Sequence, residues 1–270
     1  MRAKKKTRVH LAFVGINRSL SFTAESIWSS VVRPIESLEW VELSKSFTFL
    51  APPNNYIDNP RSEELGFVET ALPTVFHGEM VRILQSHHVE EKLARHGLLA
   101  QPDCGPWADG GKSWNNFLSF LVALEESYFQ NDQLREAEVV FFLRPDVAVG
   151  MPALPVKKLI RMTKLAVLLR LRSVFLHRRF RHGGLNDRFA VLSQNSVRDY
   201  FLRIRLARAH YARHPRDNSE KFLSAVLRGH FVRSSLETDL VRVRLGGVPD
   251  LSDLGESSID SLNLARPNFK

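Results

Sequence analysis

Three short stretches carry side chains whose types and spacing suit chemistry on an anionic, hydroxyl-rich ligand. In "VVFFLRPDVAVG" (residues 139–150) five apolar residues lead into Arg144, Pro145 and Asp146. A run that is apolar at every position reads as a strand covered on both faces. Pro145 lacks an N–H and cannot continue a ladder, so the chain must turn out of the sheet there. Arg144 and Asp146 are therefore expected at the carboxyl end of a central strand, where a fixed carboxylate can hold a divalent cation or a sugar hydroxyl. The same triplet also describes a surface ion pair, which is common and weak. In "GGLNDRFAVLS" (residues 183–193), Asn186, Asp187 and Arg188 stand between a pair of glycines and a second apolar run. Asn and Asp also bond their own backbone in turns, so a capped turn is an equal reading of that triplet. The third stretch, "RVHLAFVG" with Ile16, Asn17 and Arg18 after it, closes a strand on Gly15 just before a helix. Gly15 lets the backbone approach a ligand, helix-start N–H groups favour anions, and Arg18 adds a guanidinium fork for phosphate. A simple passage from strand to helix has the same pattern. Two polar triads, each held against an apolar run, argue for a shared crevice more strongly than either does alone.

Other chemistries find no support. The single cysteine, Cys104, excludes an internal disulfide and a multi-cysteine zinc site. There is no GxSxG elbow, and "GGKSW" at Gly110 lacks the upstream glycine of a phosphate-binding loop. His87 and His88 adjoin on an expected helix and so face different directions, and His177, His182, His210 and His214 lie among arginines and read as solvated basic surface.

The elements that position these residues alternate between strand and helix. After the first strand, "SLSFTAESIWSSVVRPI" (residues 19–35) predicts a helix capped by Ser19 or Ser21 and ended by Pro34. Residues 52–73 carry turn chemistry throughout and predict a long surface loop. A helix over residues 113–130, the strand 139–143, a strand within residues 166–176, a short strand at 188–193, and helices over 196–211 and 218–229 follow. The expected fold is α/β, a Rossmann-like, mainly parallel sheet flanked by helices, with ligands outside the carboxyl ends of the strands. One domain covers residues 1–245, and residues 246–270 form an irregular tail.

The 270-residue chain is 44% hydrophobic, enough for a large core, and no apolar run reaches the length of a membrane span. With no signal-peptide pattern either, the expected location is cytoplasmic. The formal charge of +9 suggests a polyanionic partner. Residues 157–181 concentrate nine Lys and Arg with no Asp or Glu. That strip suits peripheral contact with the anionic inner face of a membrane. Nucleic acid is the weaker partner, because no recognised nucleic-acid-binding motif accompanies the charge.

The order of motifs is itself informative. "F-x-G-x-N-R-S-L-x-x-T-x-x-S-I" near the start, "RPDV" after a hydrophobic strand, "NDRFA" some forty residues later and "SEKFL" near the end resemble bacterial glycosyltransferase-like proteins associated with surface polysaccharide synthesis. The resemblance spans most of the chain. It implies a GT-A-type nucleotide-sugar fold with Mn²⁺ or Mg²⁺ near an acidic motif. The matched positions are Gly15, Asn17, Arg18, Arg144, Asn186 and Arg188 for donor binding, and Asp146 for the metal. Asp187 is the candidate base or acceptor ligand. Arg144 stands where a full DxD motif has its first acid, so the metal motif is incomplete. The implied function is transfer of a sugar from a nucleotide-sugar donor to a glycan or lipid-linked acceptor. The alternative is a non-catalytic basic module that binds nucleic acid or an anionic membrane surface.

Overall fold

Seven strands form one sheet in the order β3-β2-β1-β4-β7-β6-β8, and only β7 runs against the others. In chain order the elements are β1 (Thr7–Ile16), α1 (Leu20–Ile27), α2 (Arg33–Glu36), β2 (Val41–Leu50), β3 (Val81–Leu84) and α3 (Ser86–His96). Then come α4 (Lys112–Gln130), α5 (Asp132–Glu136), β4 (Val139–Leu143), β5 (Val147–Val149), α6 (Val156–Leu168), β6 (Ser173–His177) and β7 (Phe189–Ser193). The chain closes with α7 (Gln194–Phe201), α8 (Ile204–Arg213), α9 (Ser219–Val226), β8 (Phe231–Leu236) and β9 (Leu240–Arg242). This computed structural model describes residues 5–17, 19–51, 72–76, 79, 81–98, 112–178, 184–243, 247, 249, 250, 262 and 264. Cys104, residues 52–71 of the expected long loop and most of the expected tail lie outside the described residues.

The sheet is the middle layer of three, as its apolar strands require. Val140 and Phe142 of β4 pack with α3, α4, α7, α8 and α9 on one face. Val139, Phe141 and Leu143 pack with α1, α2 and α6 on the other. Every residue of β4 is buried, because each side of the pleat meets a helical layer. The expected α/β, Rossmann-like architecture is what the chain adopts. A small antiparallel pair, β5 with β9, stands beside the main sheet.

Several local expectations need correction. Pro34 does not end the first helix. A π-helical turn (Trp28–Val32) leads into α2, where Pro34 occupies the first turn, a place that tolerates its missing N–H. Neither serine caps α1: Ser19 makes no side-chain cap bond, and Asn17 Oδ1 accepts from Leu20 N at 3.3 Å instead. The helix expected over 196–211 is two helices, α7 and α8, broken at Leu202 and Arg203. Strands β2, β3, β5, β8 and β9 have no counterpart in the sequence reading. The tail is tied back at its start, where Pro249 bridges Val243 and Asp250 pairs with Arg242 at 2.8 Å. His177 is fully buried rather than solvated, and His210 is mostly buried against α9. Burial also holds the His210 imidazole below its ordinary value, against the opposing pull of Asp217.

Candidate functional site

The reversal of β7 is what assembles the candidate site. β1 and β4 run parallel and both end at one edge of the sheet, and β7, antiparallel to β4, begins there. Leu143, the last residue of β4, pairs with Phe189, the first of β7, and Arg144 N donates to Arg188 O at 3.2 Å just beyond. The two polar triads are thus neighbours. At the same edge the chain leaves β1 through Gly15 and Asn17.

Gly15 has φ +138°, a region that side chains with a Cβ avoid. A Cβ there would meet Pro145 only at ordinary contact distance, 3.5 Å, so the backbone angle rather than crowding calls for glycine. Asn17 is buried, and its side-chain oxygen faces the first N–H of α1. Asn17 thus caps α1. Arg18 lies outside the described residues.

The turn after β4 is stitched to α1 by hydroxyls at helical spacing. Thr23 Oγ1 donates to Pro145 O at 2.8 Å. Ser26 Oγ donates to Val149 O at 3.1 Å and accepts from Val149 N at 2.7 Å. Ser19 Oγ donates to Val243 O at 2.6 Å. The sequence carried this signal in the spacing of Ser19, Thr23 and Ser26 on one helix face, which the sequence alone marked only as a possible cap and as positions of the N-terminal motif. Through it, α1 satisfies backbone groups of a segment too irregular to satisfy them itself.

Within that turn Asp146 is almost fully buried, and Arg144 grips it with both ends of its fork. Arg144 Nε donates to Oδ1 at 3.0 Å and Nη2 to Oδ2 at 2.8 Å. The Arg144 side chain keeps 28% of its surface in solvent, whereas Asp146 keeps 3%. Paired geometry of this kind is the strong form of carboxylate recognition. It bears directly on the expected Mn²⁺ or Mg²⁺. A hard cation takes several oxygen ligands, but both Asp146 oxygens are engaged by a guanidinium, and no group of three or more His, Cys, Asp or Glu able to hold a metal exists among the described residues. A divalent ion at Asp146 would have to share or displace the Arg144 guanidinium.

The triad before β7 is organised differently. Asn186 is buried and its Oδ1 accepts from Arg188 N at 2.8 Å, the side-chain turn expected of Asn. Arg188 is also buried, and its Nη1 reaches Leu240 O in β9 at 3.3 Å. Asp187 is only partly buried, and among the described residues no hydrogen bond or ion pair engages its carboxylate. Tyr200 of α7 lies close enough to feel it. Burial pushes the Tyr200 phenol up to about 12, with Asp187 pushing the same way and Arg203 and Arg144 opposing. Tyr211 is likewise pushed up by burial and, in smaller part, by Asp187.

Gly184 anchors the loop that carries Asp187. A methyl group there would run into the backbone of Glu220 and Lys221 at the start of α9, and Leu185 N donates to Glu220 O at 2.9 Å. The "SEKFL" stretch thus abuts the "GLNDR" stretch. Asn218 caps α9 by accepting from Lys221 N at 2.9 Å, which fixes that abutment. The arrangement offers one available carboxylate on a clamped loop, beside a rigid guanidinium pair, at the strand edge where ligands of such sheets bind. No protein-family model matches the chain, and no curated protein matches it.

Proposed function

We propose that this protein is a glycosyltransferase that moves a sugar from a nucleotide-sugar donor to a hydroxyl of a glycan or lipid-linked acceptor. The observation that carries the reading is the convergence of its motifs on one sheet edge, with Asp187 the unengaged carboxylate among them. Transfer needs a base for the acceptor hydroxyl, charge compensation for the departing diphosphate and fixed geometry for both. Asp187 takes the acceptor O–H proton as that oxygen forms its bond to the anomeric carbon. The bond from the anomeric carbon to the diphosphate breaks, and the diphosphate leaves with the electron pair. Gly15 admits the donor close to the backbone, and Arg18, next in sequence to the β1 turn, is assigned to the diphosphate. Arg144 supplies positive charge at the rim, and Asp146 and Arg188 hold the surrounding turns.

Donor binding and turnover test this directly. Thermal shift across UDP-, GDP- and CMP-sugars should single out one donor class, and that donor should be hydrolysed slowly without acceptor. Running both assays with and without Mn²⁺ decides whether Asp146 leaves Arg144 for a cation. Stabilisation by no nucleotide sugar under either condition would overturn the reading.

A further inference from the structure

The outer face of α6 combines two features that seldom share a helix. Its inner face buries Val156, Leu159, Ile160, Thr163 and Ala166. Along the outer face, Lys157, Lys158 and Arg161 come first and line an open groove of about 700 Å³ against α2. The outer face then turns apolar: Leu165, Leu168, Leu169 and Leu171 are 55%, 71%, 60% and 46% exposed. The helix ends abruptly because Arg170 adopts φ +56°, while Leu171 N bonds Ala166 O and Arg170 N bonds Val167 O. That paired closure usually takes glycine, and a bulky residue there is strained. With arginine in place, a cation stands between exposed leucines. Phe231, 59% exposed, adds to the corner, since its N–H donates to Arg172 O at 2.7 Å.

We propose that α6 and this corner dock the protein on an anionic lipid bilayer, with Lys157, Lys158 and Arg161 over the headgroups and the leucines in the acyl boundary. Charge complementarity selects this occupant, since residues 157–181 contain no acid. Among the described residues the acid paired to the corner is Asp199, which meets Arg172 at 3.2 Å on the surface. A bilayer interface offers negative charge and a shallow apolar layer side by side. A second copy of the chain would set cation against cation, and five apolar side chains fall far short of the roughly 20–30 residues a side of a stable protein interface. Nucleic acid would leave the leucines in water. The inference stands apart from the chemistry proposed at the site, because docking is measured with no nucleotide sugar present.

Co-sedimentation of the full chain with vesicles tests it. Binding to vesicles containing phosphatidylglycerol should exceed binding to neutral phosphatidylcholine vesicles by at least tenfold at low salt, since each basic side chain near such a surface contributes about fivefold. Lys157→Glu with Arg161→Glu should remove most of that binding. Leu168→Ser with Leu169→Ser should weaken it about tenfold or more, with unchanged melting because both side chains are already exposed. Equal binding to neutral and anionic vesicles overturns the proposal. So does a serine variant that binds as the parent does, or a dimer that the serine variant dissolves. Tight DNA binding without vesicle binding also overturns it. Transfer to a soluble acceptor, measured separately, reports on the site alone.

Discussion

The turn that leaves β4 and the turn that leads into β7 hold the same chemistry, an acid and an arginine each, and meet at one hydrogen bond. They use it in opposite ways. Asp146 is sealed beneath its own arginine, two residues away, and that arginine faces solvent. Arg188 instead reaches inward to β9, and Asp187 is left at the surface without an engaged partner among the described residues. One turn keeps its carboxylate to hold itself together, and the other frees its carboxylate by spending Asn186 and Arg188 on the backbone. A list of polar residues at a sheet edge therefore overstates a site until each side chain's obligations are traced.

The largest expected break between the turns is in turnover. Asp187→Asn should lower transfer by about a hundredfold or more, within the range of general-base contributions, with donor affinity and melting little changed. A destabilised variant with near-normal turnover would reverse the assignment of roles. Asp146→Asn is its counterpart in stability. It removes one charge of a pair that is buried on the acid side, so unfolding free energy should fall by about 2 kcal/mol, less than for a fully buried pair because Arg144 is partly solvated. Melting should drop by roughly 5 °C for a chain of this size. An unchanged melting temperature would show the pair to be of no more value than a surface one.

Gly184→Ala asks whether the freedom of Asp187 depends on the clamp beneath it. The added methyl must displace the start of α9, at about 1–3 kcal/mol. Turnover should fall with it, while donor binding at the β1 turn is spared. These measurements belong above pH 6.5. His10, fully buried between the Ser44 and Ser46 hydroxyls at 2.8 Å each, is held at about 3 by burial. Its folded value lies below its unfolded one, so its contribution is fully present above about 6.5 and is lost as pH falls toward 3. Acid titration of stability should show this loss, and His10→Gln should flatten it. The smallest effect is expected from Thr23→Val, which deletes the bond to Pro145 O at nearly constant shape and should cost about 1 kcal/mol. If Asp146→Asn and Thr23→Val together cost the sum of the two, the turn after β4 is held at independent points.

Much of this was legible in the chain. The unbroken apolar run of β4 required a central strand, and Pro145 required an exit, so the position of Arg144 and Asp146 followed. The α4 stripe was equally plain. The direction of β7 was not, because a strand buried on both faces has the same pattern either way up, and its reversal is what brings Asp187 beside Arg144. The strands β3 and β8 escaped notice because edge strands are short or half polar, as in "VRIL" and "FVRSSL". The role of Asp146 was hidden for a different reason. A carboxylate after a central strand looks alike in sequence whether it awaits a cation or already has a guanidinium, and only the side-chain geometry separates them.

The reversed strand also governs what can be exchanged in this molecule. Because β6 and β7 run in opposite senses, the chain between them leaves and re-joins the sheet at the edge carrying Arg144, as a hairpin does, rather than crossing a face as a parallel connection must. The stretch between Arg178 and Gly184 can therefore be lengthened, shortened or swapped without re-registering a strand, provided that Gly184 to Arg188 are kept. Gly184 and Leu185 would remain the natural splice point, since they dock on α9. The segment is in this sense modular, and a library confined to it leaves the sheet and its helices as they are.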